Sequence, residues 1–123
     1  MSAPRRSVEI VLVGLETPCH VGVTDEERRE PQMLLVDLRL TPLLVSDYAV
    51  DDVAQTVDYG AQGRLAVATA AERPYHLLER LATEIADRVW GGCELAELRV
   101  LVRKPSPGSL PAAWAGAEVS YRR

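Results

Sequence analysis

The sequence predicts a two-layer α+β domain built from four strands and two helices. Apolar and polar residues alternate in segments towards both ends of the chain, and two segments between them have helical character. The length of 123 residues fits one domain, so residues 1–123 are expected to share one core. Apolar residues make up 47% and charged residues 26% of the chain, which is typical of a globular protein and argues against a disordered or fibrous class.

Two strands are predicted in the first part of the chain. Val8–Leu15 is short, apolar and rich in β-branched residues, as expected of a strand buried on at least one face. In Met33–Leu44, apolar residues alternate with Asp37 and Arg39, which predicts a long strand with one buried face. Gly22–Gln32, between them, has six charged residues in eleven positions and is interpreted as a solvated turn.

Two helices are predicted in the middle of the chain. Tyr59–Glu72 is rich in alanine, and the carboxylates of Asp51-Asp52 precede it as candidate caps. After Pro74, residues 75–90 carry apolar side chains at spacings of three and four, and Gly91-Gly92 follows as a helix end. This second segment has the clearer amphipathic pattern.

Two further strands are predicted near the end of the chain. Residues 98–103 alternate ahead of Lys104-Pro105, and Ala117–Tyr121 alternates after a loop rich in proline, glycine and serine. Two helices can cover only one face of a four-stranded sheet, so the other face and the edge strands must be polar or meet a partner. We therefore expect a homo-oligomer.

Charge and composition argue against several other classes of protein. The net charge is −4 and the basic residues are scattered, which argues against nucleic acid and anionic membranes as partners. The longest apolar run, residues 33–45, contains two charges and is too short to span a membrane. The first sixteen residues resemble no secretory signal, so a cytoplasmic location is expected. Cys19 and Cys93 lack the spacing of metal ligands, and we expect neither a disulfide nor a metal site.

Four segments, taken together and in this order, resemble dihydroneopterin aldolase of folate biosynthesis. They are GVTDEERREPQ at 22–32, DDVAQTVDYG at 51–60, LLERLA at 77–82 and VRKP at 102–105. The resemblance runs from about Val8 to Tyr121. It implies the tunnelling fold (T-fold), in which antiparallel ββααββ units with two helices on one face assemble into a tetramer ring or a stacked octamer. It also implies a small-molecule pterin substrate and a reaction without metal or cofactor.

The family cleaves the side chain of 7,8-dihydroneopterin to give 6-hydroxymethyl-7,8-dihydropterin and glycolaldehyde. By this resemblance, Lys104 is the catalytic base. A lone lysine at a strand end more commonly has another role, in which its charge prevents an edge strand from pairing with another chain. Tyr59 stacks on the pterin from a neighbouring subunit and protonates the enol intermediate; its alternative role is packing at a helix start. Glu27 orders a water and the lysine, with Glu26 as its competitor if the motif is shifted by one.

The resemblance also implies how the pterin is bound. The carboxylate of Glu79 accepts the two adjacent N–H donors of the pterin edge, although a glutamate in the first turn of a helix is favoured in any case. Backbone groups near Val57 and Leu78 also bind the pterin, together with the ring of Tyr59. His20 is interpreted as a structural or surface residue, and the sequence assigns no contact to Trp114 in the 105–116 loop.

Two alternative functions remain open at this point. An epimerase of the same fold would invert C2′ of dihydroneopterin or its triphosphate by cleavage and re-addition. A basic cluster for a triphosphate is absent from the sequence apart from Arg28 and Arg29, which favours the aldolase. A non-catalytic ring that binds a pterin would need Glu79 but not Lys104.

Overall fold

The computed structural model describes residues 3–44, 48–108 and 110–123. Its strands and α-helices, in chain order, are β1 (Ile10–Cys19), α1 (Asp25–Arg29), β2 (Gln32–Pro42), α2 (Tyr59–Ala71), α3 (Leu78–Gly92), β3 (Leu95–Pro105) and β4 (Trp114–Arg122). The strands form one antiparallel sheet in the order β1-β2-β3-β4, and α2 and α3 pack on it. The predicted α+β class and its order of strands and helices are confirmed.

The core lies between the sheet and the two long helices. Alternate residues of each central strand point towards the helices, and α3 presents one apolar stripe to them. The fully buried side chains include Leu34, Val36, Leu38 and Leu40 from β2, Leu98, Val100 and Val102 from β3, and Leu81, Ile85 and Val89 from α3. Every second side chain of the two central strands and one side of α3 therefore pack together in a single apolar layer.

The opposite face of the sheet carries charged pairs. Asp37 in β2 pairs with Arg103 in β3 at 2.8 Å, and its carboxylate also accepts the backbone N–H of Gly14 at 2.8 Å. Gly14 lies at an irregularity in the β1–β2 register and has a positive φ of 73°, which glycine adopts without strain. Trp114 lies with its ring 5.8 Å from the Arg103 guanidinium. The face that the helices leave uncovered therefore carries these charged groups beside apolar residues, since the strand register pairs Leu35 with Arg103 and Leu101 with Asp37.

Several element boundaries differ from the sequence-based prediction. β1 continues to Cys19 rather than ending at Leu15, because its pairing with β2 runs on through Pro18. A proline is tolerated there because β1 is an edge strand. The cap of α2 is Asp58, which accepts from the backbone N–H of Ala61 at 3.1 Å, rather than the Asp51-Asp52 pair.

Within the described ranges, no helix combines the length and apolar character that a membrane span requires. Cys19 is buried and Cys93 is partly buried, and both are free thiols. Burial raises the pKa of Cys19 to about 11 and also raises that of Cys93, so both thiols stay protonated at neutral pH.

Candidate active site

A short backbone bridge brings the segment after β1 to the start of α3. Val21 and Tyr75 form an isolated parallel bridge, in which the Tyr75 N–H donates to His20 at 2.8 Å and the Gly22 N–H donates to Tyr75 at 3.0 Å. The Tyr75 side chain is fully buried, and its hydroxyl donates to the carbonyl of Thr69 in α2 at 3.0 Å. The charged segment that follows β1 is therefore held beside the first turn of α3.

Part of this charged segment is a helix rather than a solvated turn. Thr24 is the N-cap of α1, and its hydroxyl accepts from the backbone N–H of Glu27 at 3.1 Å. The Glu27 carboxylate reaches back to the backbone N–H of Thr24 at 3.4 Å, which completes a capping box. Asp25 pairs with Arg28 one turn later. These local contacts explain how five polar residues form a helix without burying an apolar face.

Three side chains tie α1 and the start of β2 to the loop after β1. Arg28 donates from Nη1 to the carbonyls of Gly22 and Val23, both at 2.8 Å. His20 donates from Nδ1 to the carbonyl of Arg28 at 2.7 Å, and Gln32 donates from Nε2 to a further loop carbonyl at 2.6 Å. This contact agrees with the interpretation of His20 as a structural or surface residue.

Glu27 and Lys104 meet in a cavity of about 180 Å³ between α1, the start of α3 and the end of β3. The Lys104 Nζ lies 3.6 Å from the Glu27 Oε2. Leu78, Glu79 and His76 line the same cavity. The side chains of Lys104 and Glu27 are 25% and 42% exposed, so a ligand can approach this pair from solvent.

The carboxylate of Glu27 is held in its ionised form. Hydrogen bonds from the backbone and the hydroxyl of Thr24 lower the pKa of Glu27, and the charge of Lys104 contributes in the same direction. Glu26, the alternative from sequence, is exposed and does not line the cavity. The structure therefore places Glu27, and not Glu26, beside Lys104.

Two of the predicted site residues lie away from this cavity within one chain. Tyr59 begins α2, is 59% exposed, and lines an apolar cavity of about 420 Å³ with Leu12 and Leu15 of β1. Val57 is buried and lines another cavity before α2. Glu27, Leu78, Glu79 and Lys104 are brought together, whereas Tyr59 and Val57 are not.

The basic residues of the chain single out Lys104 in a further way. Of the 14 basic residues other than histidine, 13 are arginine, and Lys104 is the only lysine in the chain. Arginine stays protonated at every pH that a protein tolerates, whereas a lysine amine can act as a base. The one side-chain amine of the chain therefore lies in the cavity with two carboxylates, Glu27 and Glu79.

Comparisons with known proteins agree on one family. Residues 10–121 match a family model described as FolB, dihydroneopterin aldolase. The dihydroneopterin aldolase of Streptomyces coelicolor is 36% identical over 103 residues, which cover 83% of this chain and 87% of that protein. That of Haemophilus influenzae is 28% identical over 85 residues, or 69% of this chain and 72% of that protein.

Solved structures show the same fold. The crystal structure of a Vibrio cholerae protein assigned as dihydroneopterin aldolase (FolB) has a TM-score of 0.83 at 26% identity, covering 97% of this chain and 100% of that one. E. coli dihydroneopterin aldolase in complex with neopterin has a TM-score of 0.82 at 23% identity, covering 93% of this chain and 98% of that one.

Proposed function

The chain belongs to the dihydroneopterin aldolase family, and on that basis we propose that it cleaves 7,8-dihydroneopterin by a retro-aldol reaction. The products are 6-hydroxymethyl-7,8-dihydropterin and glycolaldehyde, which makes the protein an aldehyde-lyase of folate biosynthesis. The observation that carries the assignment of its active site is the pairing of Lys104 Nζ with Glu27 Oε2 at 3.6 Å in a cavity shared with Glu79.

The reaction breaks the bond between C1′ and C2′ of the substrate side chain. Loss of the 2′-hydroxyl proton makes C2′ the aldehyde carbon, and the electrons of the broken bond move through C1′ and C6 onto N5, which gains a proton. The resulting enol is then protonated at C1′ and loses the proton on N5. The C6=N5 imine of the substrate is the electron sink, so the protein supplies acid, base and positioning.

Lys104 is the proposed base for the 2′-hydroxyl, and Glu27 orients it. The amine must be neutral to accept a proton, and it lies in a partly exposed position that the substrate side chain can reach. The carboxylate of Glu27 faces the amine and is held by the capping box of α1. This pair can therefore contact both the side-chain hydroxyls and an ordered water.

The start of α3 is proposed to bind the pterin ring. The Glu79 carboxylate can accept the 2-amino and N3–H donors together, which is a strong bidentate contact. The first N–H groups of a helix have no partner within it, and Leu77 at the N-cap supplies no side-chain acceptor. The backbone N–H of Leu78 can therefore donate to the 4-oxo group of the pterin.

A second subunit is proposed to complete the site, in a homo-oligomer built as a tetramer ring or an octamer. The cavity of about 180 Å³ in one chain is smaller than the roughly 300 Å³ at which ligand pockets usually begin. Tyr59 is an exposed aromatic residue outside this cavity, and Val57 lies near it in the chain. In this arrangement Tyr59 of a neighbouring subunit stacks on the pterin and protonates the enol.

Subunit complementation tests this sharing. Tyr59→Ala and Lys104→Ala are each expected to be inactive as pure oligomers, because each lacks one proton-transfer group at every site. In mixed oligomers, a Tyr59→Ala subunit supplies Lys104 and its neighbour supplies Tyr59, so intact sites reappear. We expect co-expressed mixtures to recover a sizeable fraction of parent turnover. A mixture as inactive as the single variants, with mixed oligomers verified by mass spectrometry, would place both residues in one subunit's site.

Gly22 is expected to be indispensable for the position of Glu27. A Cβ at Gly22 would lie 2.4 Å from the Glu27 Cβ and 3.0 Å from its Oε2, so Gly22→Ala must displace Glu27 from Lys104. We expect kcat to fall at least tenfold, on the order of the effect of misplacing a catalytic group. Gly91→Ala is the matched control, since an added Cβ there meets nothing within 4 Å. Equal kcat values for the two variants would contradict the need for this close approach.

The proposed reaction is tested by incubating the purified protein with 7,8-dihydroneopterin in the presence of EDTA. We expect hydroxymethyldihydropterin and glycolaldehyde in equal amounts by chromatography. Formation of the C2′ epimer alone would instead indicate the epimerase of the same fold. Unchanged substrate, with pterin still bound, would indicate a non-catalytic binding protein.

A further inference from the structure

We propose that Thr24 is a positioning residue for the cleavage reaction, because it binds one oxygen of the Glu27 carboxylate and leaves the other facing Lys104. This inference rests on the proposed function of the Glu27–Lys104 cavity. Thr24 does not line that cavity, so its effect on the reaction is exerted through Glu27.

The two oxygens of the Glu27 carboxylate have different partners. Its Oε1 accepts from the Thr24 hydroxyl at 3.1 Å and from the Thr24 backbone N–H at 3.4 Å. Its Oε2 lies 3.6 Å from the Nζ of Lys104. The hydroxyl also accepts from the Glu27 backbone N–H at 3.1 Å, so it uses both its donor and its acceptor capacity. One threonine thus fixes both the backbone and the carboxylate of Glu27.

This restraint is needed because Glu27 lies in an open position. Its side chain is 42% exposed, and an exposed glutamate otherwise samples several rotamers. Packing against Gly22 limits the carboxylate from one side, and Thr24 holds its Oε1. Without the hydroxyl, the carboxylate can turn towards solvent and lose its approach to Lys104.

The surroundings of Glu27 also set how it responds to pH. The charged and titratable groups around it are Lys104 in β3, His76 just before α3, Glu79 in the first turn of α3, and Asp25, Glu26 and Arg28 in α1. The backbone N–H of Thr24 lowers the Glu27 pKa most, the Thr24 hydroxyl lowers it next, and Lys104 contributes less than either. Because the pKa is lowered, Glu27 stays ionised further into the acid range. Loss of the Thr24 hydroxyl should raise that pKa and move the acid-side loss of kcat to higher pH.

The test compares Thr24→Val, which keeps the shape but removes the hydroxyl, with Thr24→Ser, which keeps it. We expect Thr24→Val to lower kcat about three- to tenfold at neutral pH, the size expected for losing a capping hydrogen bond that orients a catalytic group. The loss should grow at acid pH, while KM for 7,8-dihydroneopterin changes little. Thr24→Ser should restore both kcat and the pH profile of the parent.

A titration of Glu27 by ¹³C NMR, assigned with the Glu27→Gln variant, separates this inference from the proposed function because it needs no substrate. We expect a higher midpoint for Glu27 in Thr24→Val than in the parent and in Thr24→Ser. A purely structural role would lower the melting temperature of Thr24→Val but leave the midpoint and the pH profile unchanged, and that result would overturn the inference. If the parent lacked aldolase activity, the proposed function would fail, and the positioning role would fail with it even if the midpoint showed that Thr24 holds Glu27.

Discussion

Lys104→Ala is expected to lower kcat about 10²- to 10⁴-fold, the range typical of losing a general base. Lys104 is the only lysine in the chain, and its side chain lies in the cavity with Glu27 and Glu79. Folding should be little affected, because Lys104 lies next to the end of β3 and its partner Glu27 remains solvated. Product formation followed by chromatography measures kcat, and fluorescence titration with neopterin measures binding, which we expect to persist.

Lys104→Arg separates the chemistry of the amine from its charge. Arginine keeps a positive charge near Glu27 but cannot become a neutral base. We therefore expect this variant to be nearly as inactive as Lys104→Ala. Arg80→Ala, which removes an exposed ion pair with Glu84 at 3.3 Å, is the control and should retain parent turnover. If Lys104→Arg kept more than a tenth of parent kcat, Lys104 would act through its charge and the base assignment would be wrong.

Glu79→Gln is expected to raise KM, and the Kd of neopterin, by about ten- to a hundredfold. Charge-assisted hydrogen bonds each contribute more than neutral ones, and a glutamine amide presents a donor where the pterin edge also presents a donor. The substitution keeps the length of the side chain at the start of α3, so the helix should persist. Glu84→Gln, on the same helix but outside the cavity, is the matched control. An unchanged Kd for Glu79→Gln would remove Glu79 from the pterin grip.

The strands and helix of the core were predictable because the spacing of their apolar residues shows which face of each element is buried. Alternation in β2 and β3, and the three- and four-residue spacing in α3, each correspond to buried side chains in the structure. The extension of β1 to Cys19 was not predictable in this way. It depends on backbone pairing with β2, which leaves no signature in side chains that include Glu16 and Pro18.

The geometry around the site was only partly predictable. The order of four segments pointed to Glu27, Glu79 and Lys104, which the structure brings together. The threonine three residues before Glu27 is a capping-box signature that could have predicted α1 from sequence. The Val21–Tyr75 bridge that holds α1 beside α3 consists of backbone contacts, so residue types do not predict it.

Tyr59 and Val57 show a different limit of a single sequence. Tyr59 lies at a helix start beside an apolar cavity, and Val57 is buried before the same helix. Neither residue lines the Glu27–Lys104 cavity, so their contacts with the pterin stay a prediction. The structure of one chain therefore describes the Glu27–Lys104 part of the proposed site. For Tyr59 it shows only that the side chain is exposed.

A crystal structure of this protein with bound neopterin is the most direct test of the proposed active site. We predict that the pterin edge lies on the Glu79 carboxylate, with the side-chain hydroxyls between Glu27 and Lys104 and the ring against Tyr59 of a neighbouring subunit. A pterin bound elsewhere, with the Glu27–Lys104 cavity empty, would contradict the assignment of this cavity as the site of cleavage.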